Sequence, residues 1–213
     1  MLHGRLSRGI GEHRRPDLAQ SSSIPRNAPD PKASFHTGGM KPRTDRSPDG
    51  TLLLIRHGIA VDPGFGLADA DRPLTGEGWT RTRAAMKGLL KAGWLPDAAC
   101  TSPYRRAAET LACLQEAVLK AGFHAIPSDS WAGLQPEGDC AAAEAWFRAR
   151  LGAAAPGHVL AVFSHQPFLG DLVRRLCGEN LEIKKASCTW VERRGEGWSL
   201  RGQFSPSDLR DLA

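Results

Sequence analysis

Three short apolar runs, each ending at a polar or basic residue, set the tightest limit on how this chain can fold. They are "TLLLIR" at 51–56, "DAACTS" at 97–102 and "HVLAVFS" at 158–164. Each suits a strand and is too short for a helix, and the first and third read as buried. Helical patterns lie between and after them. "LTGEGWTRTRAAMKGLLKAG" offers Thr75 as N-cap, an apolar side of Trp79, Ala85, Met86, Leu89 and Leu90, and Gly93 as a stop. "SPYRRAAETLACLQEAVLKAG" opens with Ser102 as N-cap and Pro103 at the first helical position, and buries Leu111, Leu114, Val118 and Leu119. "DCAAAEAWFRARLGA" and "QPFLGDLVRRLCG" read as two further helices. "FHAIP" reads as a short strand, and "ASCTWVERR-GEG-WSLRGQF" as a hairpin around a glycine-bearing turn. The alternation predicts an α/β fold, a mostly parallel sheet covered on both faces.

Residues 1–50 differ in texture from the rest. They are rich in Pro, Ser, Gly and charge and poor in large apolar side chains, so they are expected to be disordered to about Asp49. Met40 is an alternative start, with the upstream residues an over-extended gene reading. The folded domain is expected over 51–213. The formal charge of +5 belongs mainly to the leading segment, which holds nine Lys/Arg and five Asp/Glu. Residues 51–213 hold 19 Lys/Arg and 18 Asp/Glu and are nearly neutral. The basic balance is therefore weak support for nucleic-acid binding, and no nucleic-acid partner is expected. No run approaches the ~18 apolar residues of a membrane helix, so a soluble, cytoplasmic protein without a membrane partner is expected. Five cysteines without a C-x-x-C pair read as reduced thiols, with neither a disulfide framework nor a zinc site.

In open parallel sheets, ligands bind beyond the carboxyl ends of the strands. The residues at those ends are Arg56 and His57, Ser102 to Arg106, and Ser164 and His165. Two arginines and two histidines then converge with no fixed carboxylate among them. Guanidinium forks and helix starts both favour anions, and a phosphoryl group fits best. Near two guanidinium groups the His57 imidazolium is disfavoured, so a neutral ring is expected at pH 7. A neutral imidazole nitrogen can attack phosphorus, with the arginines stabilising the equatorial oxygens and water releasing phosphate afterwards. No metal and no cofactor are needed. Gly58 is expected to let the chain turn tightly beside the phosphate.

These segments together resemble a known family. "RHG" after a first strand, "SPYRRAAET" after a second and "VFSHQPF" after a late one are similar to the histidine phosphatase superfamily, with its phosphoglycerate-mutase-like fold. "DRPLTGEG" resembles the R-P-L-T-x-x-G segment of SixA-type phosphohistidine phosphatases, "SPYRRA" their S-P-x-x-R-A pattern and "SHQP" their (S/G)-H-x-P pattern. The resemblance covers roughly residues 51–178 and implies a three-layer α/β/α sandwich. It implies His57 as the phosphorylated nucleophile, Arg56 and Arg106 as phosphate-binding arginines, and His165 as the second histidine holding the transferring group. Arg72 is implied near the pocket rim. Gly58, Ser102 and Glu137 complete the expected binding set, and Arg105 is expected to face solvent. His124 and His158 read as structural, and Trp131 as the tryptophan nearest the leaving-group side.

Many relatives carry an acidic proton donor after the third strand. Glu137 and Asp139 stand there, but no motif fixes either as the acid. The expected partner is a phosphorylated protein or a small phosphorylated metabolite, and the expected state is a monomer or weak dimer. A phosphohistidine leaves as imidazole and asks less of an acid, which favours that substrate. Two alternatives stay open: a phosphate-binding regulatory module without useful turnover, and a broad-specificity small-molecule phosphomonoesterase.

Overall fold

The strand that the first apolar run predicts lies inside the sheet and is buried on both faces. The computed structural model describes residues 49–64 and 66–213. Residues 1–48, with the expected disorder and the alternative start at Met40, lie outside it. Six strands form one sheet: β1 (Thr51–Arg56), β2 (Ala98–Thr101), β3 (Ser128–Ser130), β4 (Val159–Ser164), β5 (Cys188–Arg194) and β6 (Gly197–Phe204). Their order is β3-β2-β4-β1-β5-β6; the first four run parallel, and β5 and β6 add antiparallel.

Successive side chains of β1 enter different cores. Leu53 and Ile55 pack with α1 (Gly76–Lys91), α2 (Arg105–Lys120) and α5 (Pro206–Asp211) through Met86, Leu89, Leu114 and Leu209. Leu52 and Leu54 pack with α3 (Cys140–Gly152) and α4 (Phe168–Cys177) through Phe147, Phe168 and Leu172. A strand covered on both sides has no solvent-facing register, which is why its sequence is continuously apolar. The result is the mixed α/β sandwich that the sequence implies.

Local signals set most boundaries. Thr75 caps α1 through its hydroxyl, which accepts the Gly78 N–H at 2.9 Å. Asp139 caps α3 in the same way through the N–H groups of Ala141 and Ala142. Gly178 ends α4 in the left-handed region, at φ 73°.

Two expectations need correction, and one helix was not foreseen. The helix expected from Ser102 and Pro103 starts at Arg105, with Tyr104 at its N-cap. Ser102 stays with the strand end, its N–H donating to Phe163 O at 2.9 Å. "FHAIP" is not a strand. The Gln115 side-chain amide takes both the N–H and the C=O of Ile126, at 2.9 and 2.7 Å, in place of a neighbouring strand. Pairing with β2 registers from Ser128 instead. The helix α5 was not anticipated, although "SPSD" carries its start: a Ser205–Asp208 capping box with Pro206 in the first turn.

Gly88 on α1 lies against the backbone of α5, where a Cβ would overlap the Leu209 carbonyl. Alanine gains about 1 kcal/mol of helix propensity over glycine. The clash is with backbone, so relief requires α5 to move, and overpacking of this kind costs ~1–3 kcal/mol. Gly88→Ala is therefore expected to lower stability by up to ~2 kcal/mol, read as a lower urea midpoint with an unchanged slope.

All five cysteines are free, and Cys100, Cys113 and Cys188 are buried. Among the described residues, no helix is long and apolar enough to cross a membrane.

Candidate active site

The parallel register brings three chain segments to one level at the carboxyl edge of the sheet. Arg56 pairs with Ser164 across β1 and β4, and Thr101 pairs with Phe163 across β2 and β4. The next residues continue the ladder, with His57 N–H donating to Ser164 O at 3.0 Å. His57, Ser102, Arg106 and His165 thereby meet, all buried. The two imidazole rings lie 5.1 Å apart, centroid to centroid.

The hydrogen bonds of His57 assign its tautomer. Its Nδ1 is 2.7 Å from Gly58 O, and a carbonyl can only accept, so Nδ1 carries the proton. The lone pair is left on Nε2, which receives the Arg106 Nε–H at 3.3 Å. Burial pushes the ring pKa down to about 3, against the Gly58 carbonyl, with Arg106, Arg56 and Lys185 adding to the depression. The expected neutral ring is therefore present, but burial contributes more than the arginines. His165 is also held at about 3, first by burial, then by His57 and Arg106. Its Nε2 lies 2.8 Å from Ser102 Oγ, and that oxygen accepts the Tyr104 N–H at 3.3 Å. Its Nδ1 is buried without a partner, as is Arg56 Nε. Arg56 also donates from Nη1 to Ile183 O at 2.8 Å.

These shifts fix the sign of a pH effect. An unfolded histidine takes a proton below pH ~6.5, whereas His57 in the folded protein takes one only near pH 3. Between those values the unfolded state binds more protons, so stability falls as pH is lowered through that window. Denaturation from pH 7 to pH 4 is expected to show this decline. His57→Asn is expected to flatten the decline by about 1.4 kcal/mol per pH unit near pH 5.

One group that sequence reasoning missed changes the electrostatics. Asp69 opens a short 3-10 turn, Asp69–Asp71. Arg106 donates from Nη1 to Asp69 O at 2.6 Å and from Nη2 to Oδ2 at 2.9 Å. Arg72 holds Oδ1 from Nε at 2.7 Å and spends Nη1 on Val61 O at 2.6 Å. Burial alone would raise the Asp69 carboxyl, but hydrogen bonds from Arg106 and Arg72 outweigh it and keep the carboxylate below its usual range. The pocket thus contains a fixed carboxylate, contrary to the all-basic cluster expected from the motifs. Arg72 joins the site through that carboxylate. The spacing of Asp69 and Arg72, three residues apart, is a signal for their pairing, but no sequence period links Asp69 to Arg106.

The other expected residues fall as follows. Gly58 is demanded by neighbours: a Cβ there would overlap the Thr82 hydroxyl, and its N–H donates to Thr110 Oγ1 at 3.0 Å. Glu137 is exposed and has no hydrogen bond or ion pair among the described residues, and Asp139 is committed to capping α3. Arg105 is exposed and pairs with Glu109 at 2.8 Å. His158 lies 3.8 Å from Asp97, and His124 is exposed. Trp131 stacks on Trp146 at 4.7 Å. Tyr104, also missed, sets its ring edge-on to His165 at 5.1 Å and lies under the Arg106 guanidinium at 4.9 Å. Among the described residues, no three His, Cys, Asp or Glu side chains group as metal ligands would.

The His57 imidazole with its lone pair on Nε2, the Arg106 guanidinium that meets it, and Arg56 and His165, each with a buried nitrogen lacking a partner, lie at the same sheet edge. Such a set suits the binding of a phosphoryl group. The chain is 37% identical over 139 residues to an uncharacterized protein of Picosynechococcus sp., an alignment spanning 63% of this chain and 80% of that one. Compared with models of known protein families, it matches none. Its backbone is similar to that of the protein histidine phosphatase SixA solved with tungstate, at TM-score 0.65 and 25% identity, over 75% of this chain and 99% of that one. It shares its fold with a phosphoglycerate mutase from Bacillus anthracis, at TM-score 0.60 and 16% identity, over 76% of this chain and 96% of the mutase. The chain belongs to the histidine phosphatase superfamily, in its SixA branch.

Proposed function

We propose that the chain is a phosphohydrolase that takes a phosphoryl group onto His57 Nε2 and passes it to water, with phosphohistidine on a protein as its preferred substrate. The observation that carries this reading is the fixed tautomer of His57. Nδ1–H is anchored on Gly58 O, so the lone pair of Nε2 is aimed at the arginine-lined pocket. Nε2 attacks phosphorus while the bond from phosphorus to the leaving nitrogen breaks. Positive charge that develops on the ring is stabilised at Nδ1–H by the Gly58 carbonyl. Arg56, Arg106 and His165 surround the equatorial oxygens as donors. In the second step a water oxygen attacks phosphorus and the bond to Nε2 breaks. The water's protons go to phosphate and solvent, and the ring returns to its starting tautomer.

The preference for phosphohistidine rests on the proton inventory. An alkoxide leaving group needs a positioned acid. Asp69 is held ionised by two arginines, Glu137 is exposed and unbonded, and Asp139 caps a helix. A phosphoimidazole protonated on its other nitrogen leaves as a neutral ring and needs no enzyme acid.

The test is a rapid quench into alkali after mixing with a phosphohistidine peptide, followed by mass spectrometry of the protein. An alkali-stable, acid-labile phosphate on His57 is expected. Turnover without any such adduct would overturn the covalent route. Faster turnover of alkyl phosphates than of phosphohistidine would overturn the substrate preference.

A further inference from the structure

A groove of about 540 Å³ shares Arg56 with the candidate phosphoryl site. Its walls come from α1, from the stretch 182–186 before β5, and from α5. Arg81, Lys184, Lys185 and Arg210 line it, facing the single carboxylate of Glu182. Arg81 is paired with Glu77 at 2.7 Å, whereas Lys184, Lys185 and Arg210 have no ion pair among the described residues. Lys185 lies near enough to the catalytic ring to help hold it neutral.

Unpaired surface lysines are ordinarily just solvated, but here their arrangement is unusual. Residues 51–213 are almost balanced, with 19 Lys/Arg and 18 Asp/Glu, so this is a local concentration of charge. Many basic side chains elsewhere pair with carboxylates, as in Arg83–Glu116, Arg148–Glu144 and Arg174–Asp171. The cations here come from three segments onto one concave surface that also holds Arg56 of the candidate phosphoryl site. A second phosphate would call for a buried guanidinium fork. Lys184 and Lys185 are instead exposed ammonium groups on flexible stems, which suit carboxylates spread along a partner's surface.

We propose that this groove receives acidic residues flanking the phosphorylated histidine of a partner protein, and so selects substrates by the charge around the phosphoryl group. The proposal rests on the phosphohistidine reading above.

The test uses two phosphohistidine peptides of equal length, one flanked by Glu and one by Gln. With the wild-type chain, kcat/KM is expected to favour the Glu peptide by about tenfold or more at low salt, and the gap is expected to shrink as salt is raised. Lys184→Glu combined with Arg210→Glu is expected to remove or reverse the preference. Hydrolysis of the Gln peptide reports on the phosphatase reading alone. Equal kcat/KM for both peptides, or a preference that survives in the double variant, would overturn the groove assignment. If neither peptide is turned over, the phosphatase reading fails, and fluorescence anisotropy of the same labelled peptides decides the groove, with equal affinities overturning it. Preference for propane-1,3-diyl bisphosphate over propyl phosphate, without any gain from Glu flanks, would also overturn it and assign the groove to a small second anion.

Discussion

Replacing His57 with alanine is expected to lower turnover of phosphohistidine peptides by about 10⁴- to 10⁶-fold, the scale on which removing a covalent nucleophile acts. Stopped assays of phosphate release against the wild-type chain check it. The large effect follows from geometry. Nε2 of His57 keeps its lone pair and meets only the Arg106 Nε–H at 3.3 Å, while Nε2 of His165 is bonded to Ser102 at 2.8 Å. His165 lies 5.1 Å away, ring to ring, and cannot take over attack from the same point. The variant also opens a void among buried groups, so circular dichroism at the assay temperature must show a folded chain. A folded His57→Ala chain that retains turnover would remove His57 from the mechanism.

Arg106→Ala carries the second largest expected effect, about 10²- to 10³-fold in kcat/KM, comparable to losing a preorganised oxyanion donor. Arg106 is 3% exposed and engaged on three sides: Nε to His57, and Nη1 and Nη2 to Asp69. Lysine cannot reproduce that planar set, so Arg106→Lys is expected to recover little. Removing Arg106 also leaves Asp69 facing the phosphoryl site with one cation fewer, and the carboxylate then repels the substrate. Adding Asp69→Asn to Arg106→Ala is therefore expected to restore part of the loss, a coupling that a double-mutant cycle measures directly. Strict additivity of the two losses would show that Asp69 does not act through Arg106.

Much of the fold was legible because its signals are local. The apolar run of β1, the Thr75 cap and the Gly178 stop each act within a few residues. The candidate site's rim was legible for a related reason: parallel strands bring their carboxyl ends level, so Arg56, His57, Ser102 and His165 follow once the strands are found. What failed depended on distant side chains. "FHAIP" has strand chemistry, but the Gln115 amide satisfies Ile126 from α2, and no local pattern announces that. Asp69 reaches Arg106 across 37 positions through a turn whose sequence carries no periodic mark. Gly58 was read as a glycine for a tight turn beside the phosphate; the crowding at its Cα comes from Thr82 on another element, which no local pattern announces. The α5 start was a different kind of miss. Its capping box lay in plain sight after the hairpin.

The alternating burial of β1 has a mechanical consequence. Leu52 and Leu54 are fixed in one core, and Leu53 and Ile55 in the other. Both helical layers therefore grip the same four residues, and Arg56 and His57 extend from the end of that doubly clamped bar. A void opened on either side loosens the same tip. Damage to two separate cores then converges on the His57 ring, whose position depends on how tightly the strand behind it is held.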